Sequence, residues 1–175
     1  MSEERFIGFV ELGNTIDAAM QIKNSSGSPA DPTAAPTYRI YGPNGLMAGG
    51  TGSLSYKDTN NNISGATNAS PVVITSNGHG LTTGTTVTIS GILGNTNANG
   101  TWVITAINSN TFSLNGSSGN ASYTSGGQWH VTGLYDFNYE PTGSNGFESG
   151  ECYSVLVQYV VSSTSYADVY TFIVS

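Results

Sequence analysis

The chain has 175 residues, a formal net charge of −7, and charged side chains at only 9% of positions, against about 25% in an ordinary soluble protein. Its four cations, Arg5, Lys23, Arg39 and Lys57, are too few and too scattered to follow a phosphate backbone or an anionic bilayer. Nucleic acid and membrane surfaces are therefore excluded as partners. Gly, Ser, Thr and Asn replace the missing charges. These residues favour turns and disfavour helix interiors, so an all-β chain is expected.

The chain opens with MSEERFIGFVELG, which has acids where a secretory leader needs cations. Synthesis in a cytoplasm is the expectation. RFIGFVE (5–11) reads as an exposed strand. TIDAAMQIK (15–23) alternates, with Ile16, Ala18, Met20 and Ile22 on one face. A Pro-rich loop (26–36) leads to a further strand, TYRIYG (37–42).

From Thr59 to His130 there is no Asp, Glu, Lys or Arg. That break marks residues 59–130 as an inserted module within a host domain made of 1–58 and 131–175. The insert carries short apolar runs at 71–76, 85–93, 101–107, 111–116 and 121–124. Asn77-Gly78, Asn99-Gly100 and Asn115-Gly116 lie beside them, and Asn-Gly supplies the positive φ angles of tight hairpins. A small β-barrel or sandwich is expected here.

After the insert, LYDFNYE (134–140) alternates Tyr135, Phe137 and Tyr139 with Asp136, Asn138 and Glu140. ECYSVLVQYVVSS (151–163) and SYADVYTFIVS (165–175) form a hairpin, the second ending in an exposed strand, YTFIVS (170–175). Neither flank closes a core alone, so an antiparallel β-sandwich built from both ends is expected. The lone Cys152 is expected in that core, since unpaired cysteines behave as small apolar residues.

The residues of the insert carry a resemblance. NGHGLTTGTTVTISG (77–91), NANGTWVITAINSNTFSLNG (97–116) and YTSGGQW (123–129) resemble a small β-module of phage structural proteins, often described as similar to the FCCH-type domain of ubiquitin-activating enzymes. DAAMQIKNSSGSP, TYRIYGPNG and the two C-terminal strands resemble immunoglobulin-like or upper-baseplate-like sandwiches of tailed phages. The resemblance implies a virion structural protein. A capsid decoration or cement subunit is the first reading, docked by its host domain with the insert projecting outward. Its partners would be other virion proteins and further copies of itself. The alternative is a tail, baseplate or fibre component that adheres to host surface glycans.

Candidate chemistry is sparse. His79 and His130 are the two imidazoles, and neither has an acid nearby in sequence to orient it, as nucleophilic catalysis requires. His79, within Gly-His-Gly, is read as a turn-bonding residue. No catalytic residue and no cofactor are expected. Asp136, Asn138 and Glu140 share one strand face and form a candidate cation site with Glu148 and Glu151 nearby, set against a plain solvated face. Trp102 and Phe112 are expected in the core of the insert. Tyr123 and Trp129 are the candidates for stacking on glycans.

Overall fold

The computed structural model describes residues 5–57 and 61–175. The first four residues, and the expected boundary between Asp58 and Thr59, lie outside the described residues. The chain forms two compact units, Met1–Tyr56 with Gly133–Ser175, and Lys57–Thr132. Both are built of β-strands, and among the described residues no helix is long and apolar enough to cross a membrane.

The strands in chain order are β1 (Arg5–Val10), β2 (Ile16–Gln21), β3 (Thr37–Gly42), β4 (Gly45–Ser53), β5 (Ser55–Tyr56), β6 (Asn61–Asn62), β7 (Gly65–Ala66), β8 (Val73–Thr75), β9 (Thr86–Ser90), β10 (Gly100–Asn108), β11 (Thr111–Leu114), β12 (Gln128–Val131), β13 (Leu134–Tyr139), β14 (Cys152–Val161) and β15 (Thr164–Val174).

In the first unit, a five-stranded sheet ordered β1-β15-β14-β3-β4 and a three-stranded sheet ordered β2-β13-β5 enclose one core. Strand alternation dictates its contents. Tyr153, Val155, Val157, Tyr159 and Val161 of β14 point inward, as do Tyr170, Phe172 and Val174 of β15. Ile16 and Met20 of β2, then Ile22, with Tyr135 and Phe137 of β13, supply the opposite wall. Phe147 fills the middle against Tyr153 and Phe172. This is the expected sandwich, antiparallel except that β1 lies parallel to β15. The β14–β15 hairpin turns through Ser162 (φ 49°) and Ser163 (φ 67°), the left-handed pair that matches strand twist in a two-residue turn.

Two expectations are corrected in this unit. Cys152 is exposed. It takes the outward position because its neighbour Tyr153 is 1% exposed and faces the core, and adjacent strand residues face opposite ways. The segment 170–175 is not an exposed edge either, because β15 is paired on both sides, by β14 and by β1. β1 and β4 are the edges of that sheet. β4 itself has no clear signal in sequence, since four of its nine residues are glycine.

The second unit is a seven-stranded antiparallel sheet ordered β6-β12-β9-β10-β11-β8-β7. Its outermost members, β6 and β7, are separated by only Ile63 and Ser64. Those two residues continue both ladders, Ile63 N–H donating to Gly127 O (3.0 Å) and Ser64 N–H to Thr75 O (2.9 Å). One stretch, 61–66, thus ties the two ends of the sheet together, and closure removes its open edges. Val72, Ile74, Val87, Ile89, Ile104, Phe112, Leu114 and Trp129 fill the interior. The run at 121–124 forms no strand, and loop bonds described below hold it instead.

Tyr56 of β5 pairs with Tyr135 of β13, so the two chain ends left by removing 57–132 are neighbours in the first unit. Deleting that stretch and bridging with a short Gly-Ser linker is expected to leave a folded protein with a cooperative thermal transition. An unfolded product would show that the first core needs the second unit.

Candidate functional site

His79 is held from every side. Its Nδ1 accepts the Leu81 N–H (3.0 Å), which leaves the proton on Nε2 to donate to Asn108 O (2.8 Å), with Thr111 O at 3.3 Å. The ring meets Phe112 edge-on, at 5.2 Å between centroids. The His79 N–H donates to Ser109 O (3.2 Å), and Gly78 N–H to Asn110 Oδ1 (3.0 Å). The imidazole thereby clamps the 77–81 loop onto the β10–β11 turn. Both ring nitrogens are engaged with backbone groups, so neither is offered to a substrate. His130 lies half-buried in β12 opposite Thr88.

Trp129 does not form a glycan platform. It is 3% exposed, its ring packs edge-on against Phe112, and its Nε1 donates to Ser76 Oγ (2.8 Å). The flanking Gly and Gln residues suggested a surface position. The pairing of Trp129 with Ile89 sets its parity instead, and Ile89 faces the core. Tyr123 is half-buried, and its hydroxyl is fixed against Gly126 O (2.9 Å) and Ile63 O (3.1 Å). It pins the loop after β11 rather than standing free. Phe112 is fully buried, as expected, while Trp102 is half-buried and donates through Nε1 to Ala98 O (3.0 Å).

The candidate cation face does not converge. Asp136 pairs with Ala19 and Ser55, Asn138 pairs with Asp17, and Glu140 lies beyond the strand end. A rise of about 3.3 Å per residue spreads Asp136 and Glu140 over roughly 13 Å. Among the described residues, no three His, Cys, Asp or Glu side chains gather as metal ligands would. Glu148 and Glu151 instead line a hollow of about 270 Å³ with Asn44, Asn145 and Tyr153. The Tyr153 hydroxyl there accepts the Glu148 N–H (2.8 Å).

Sequence reading missed the outer face of the five-stranded sheet. Three rows cross it: Phe9, Ile173 and Cys152; Phe6, Thr171, Ser154, Tyr41 and Leu46; Val169, Leu156, Arg39 and Thr51. Phe9, Phe6 and Leu46 are 71%, 56% and 54% exposed. Residues three apart on a regular strand face opposite ways. Phe6 and Phe9 share a face because a β-bulge at Ile7 shifts the register, and their rings meet at 5.5 Å. The bulge is invisible to a strict alternation rule.

The first unit also holds a set of buried and half-buried tyrosines. Burial is the leading cause that pushes Tyr38, Tyr135, Tyr139, Tyr159 and Tyr170 above the ordinary value of 10.0. Hydrogen bonding to Tyr56 adds to it at Tyr135, and to Asp168 at Tyr159; the Tyr159 hydroxyl donates to Asp168 Oδ2 at 2.9 Å. No protein-family model matches the chain, and no curated protein matches its sequence.

Two expectations follow. His79→Ala should destabilise the second unit by about 1–3 kcal/mol, the cost of orphaning buried polar groups, and Trp129→Ala by about 3–5 kcal/mol. Denaturant melts followed by Trp102 emission test both, and unchanged midpoints would contradict the clamp. The raised tyrosine values favour the neutral form in the folded state. Their stabilising contribution is complete below pH 10 and is lost as pH rises through the folded values. Alkali should therefore unfold the first unit first. Tyrosinate absorbance should rise before the emission of Trp102 and Trp129, both in the second unit, shifts to the red.

Proposed function

We propose that the chain is a non-catalytic structural component of a tailed-phage particle, a capsid decoration or cement protein. On this reading the unit formed by 1–56 and 133–175 docks on the particle, and the 57–132 unit is displayed. The observation that carries it is the outer face of the five-stranded sheet. Its rows hold exposed Phe6, Phe9 and Leu46 and the single cation Arg39, with no acid, on a chain of net charge −7. Exposed apolar surface marks an interaction site; here it is the touching Phe6 and Phe9 rings on edge strand β1, with Leu46 on the opposite edge strand β4. The unpaired side of β1 adds backbone groups that a neighbouring strand can join. The engagement of both His79 ring nitrogens supports the non-catalytic part of the reading. The partners are other virion proteins and further copies of this chain.

A tail, baseplate or fibre component with a glycan-binding second unit is the other reading. It is favoured by a neutral hollow of about 280 Å³ lined by Asn61, Asn62, Ser64, Ser76 and Asn77, whose carboxamide lining suits uncharged sugars, the Ser76 hydroxyl being taken by Trp129 and Asn62 O. In this form it no longer uses Trp129.

The test is a protein inventory and particle map of virions assembled with this chain. The expected result is stoichiometric density on the head, lost with Phe9→Asp while the chain stays folded. Density on the tail, with glycan-array binding by the full chain, would favour the second reading. Absence from purified particles would overturn both.

A further inference from the structure

β1 sets its side chains in a fixed order along the open edge of the five-stranded sheet. Arg5 leans to the inner side, where its Nη1 donates to the Tyr170 hydroxyl (3.3 Å). Ile7 and Val10 pack against the core, while Phe6 and Phe9 stand exposed on the outer face. A cation thus heads the strand, and Glu11 follows its last residue. Among the described residues neither is met by an opposite charge. Arg5 lies over the Tyr170 ring (5.7 Å), and Glu11 accepts from the Asn14 amide (3.0 Å).

This order is self-complementary. When two copies of β1 run antiparallel about a two-fold axis through the Ile7–Gly8 bond, Phe6 falls opposite Phe9 on the outer face, and Arg5 opposite Val10 on the inner one. Directly opposed residues share a face. A slip of one residue breaks that match, setting outward Phe6 against inward Val10, or inward Arg5 against outward Phe9. The matched register also brings each Arg5 within one residue of the Glu11 of the other copy. A bulge ordinarily blunts an edge, but the two-fold axis gives both strands the irregularity at the same place, so they stay in step. Gly8 at the centre (φ 145°) adds no bulk, and nothing lies within 4 Å of where its Cβ would stand. Val10 O accepts Ser175 N–H (2.8 Å), so the backbone groups of the adjacent Phe9 point to the open side, available to a ladder. β4, the opposite edge of the sheet, carries no charged residue and could answer neither Arg5 nor Glu11.

We propose that β1 is the seam of a two-fold dimer, in which it pairs antiparallel with the β1 of a second copy of this chain. The two five-stranded sheets become one continuous sheet. Phe6 and Phe9 of each copy close over those of the other, and an Arg5–Glu11 pair brackets the seam at either end. This pairing rests on the outer face being an interaction surface, as in the functional reading above, and needs no phage particle.

Light scattering of the full-length protein in solution, across a series of concentrations, tests this, and a dimer is expected. Arg5→Glu and Glu11→Lys each put like charges at both ends of the seam and should weaken association about tenfold. Mixed in equal amounts, the two variants restore both charge pairs and should form a heterodimer as tight as the unmodified dimer. Disulfide capture in a Cys152→Ser background reads the register: a mixture of Phe6→Cys and Phe9→Cys chains should cross-link, and neither alone. A monomeric unmodified chain, open-ended oligomers from β1 meeting β4, no rescue on mixing, or equal cross-linking by one variant alone would overturn the proposal. A monomer that still decorates the head overturns only the seam. A dimer absent from purified particles overturns only the phage reading.

Discussion

Every buried backbone N–H and C=O in this chain must find a partner, and the chain has almost no charge with which to help. Neutral side chains bonded to loop backbone meet that constraint. Asn95, fully buried, donates to Thr67 O and accepts Asn120 N–H. Ser117 accepts Val72 N–H and donates to Leu114 O. His79, Asn99 and Tyr123 act in the same way on their own loops. Removing one of these side chains leaves buried groups unsatisfied, so the loops of the second unit depend on them as much as its interior depends on Phe112.

The first unit meets the constraint differently. Its long β14 and β15 strands satisfy most of their own backbone in the ladder, and its aromatic side chains close the remaining space. Phe147, Tyr153 and Phe172 form one continuous contact, while Tyr159 stacks on Tyr166. This division explains the composition. Tyrosine and phenylalanine concentrate where two sheets must be filled, and asparagine, serine and threonine concentrate where many short loops must be tied.

Alternation and turn chemistry made much of the fold legible. Ile16, Met20 and Ile22 all face inward, and the Ser-Ser turn closes the final hairpin as expected. The failures have physical causes. Residue type points Cys152 inward and sequence neighbours point Trp129 outward, but strand parity decides which way a side chain faces, and parity is inherited from the paired strand. The Phe6–Phe9 surface depends on a bulge, an insertion that breaks the period on which sequence reading rests. The candidate cation face had the right residue types on one face, yet an extended strand holds i and i+4 carboxyls too far apart to share an ion.

The pairing of β6 with β12 places the first and last strands of the 57–132 unit side by side, Asn62 opposite Gln128 and Asn61 opposite Trp129. In the surrounding unit, β5 and β13 are likewise neighbours. A domain whose two ends lie together can be spliced into any connection between adjacent antiparallel strands without stretching either party. The 57–132 sequence therefore has the geometry of a transferable cassette, and grafting it into a hairpin of an unrelated scaffold would ask nothing new of either fold.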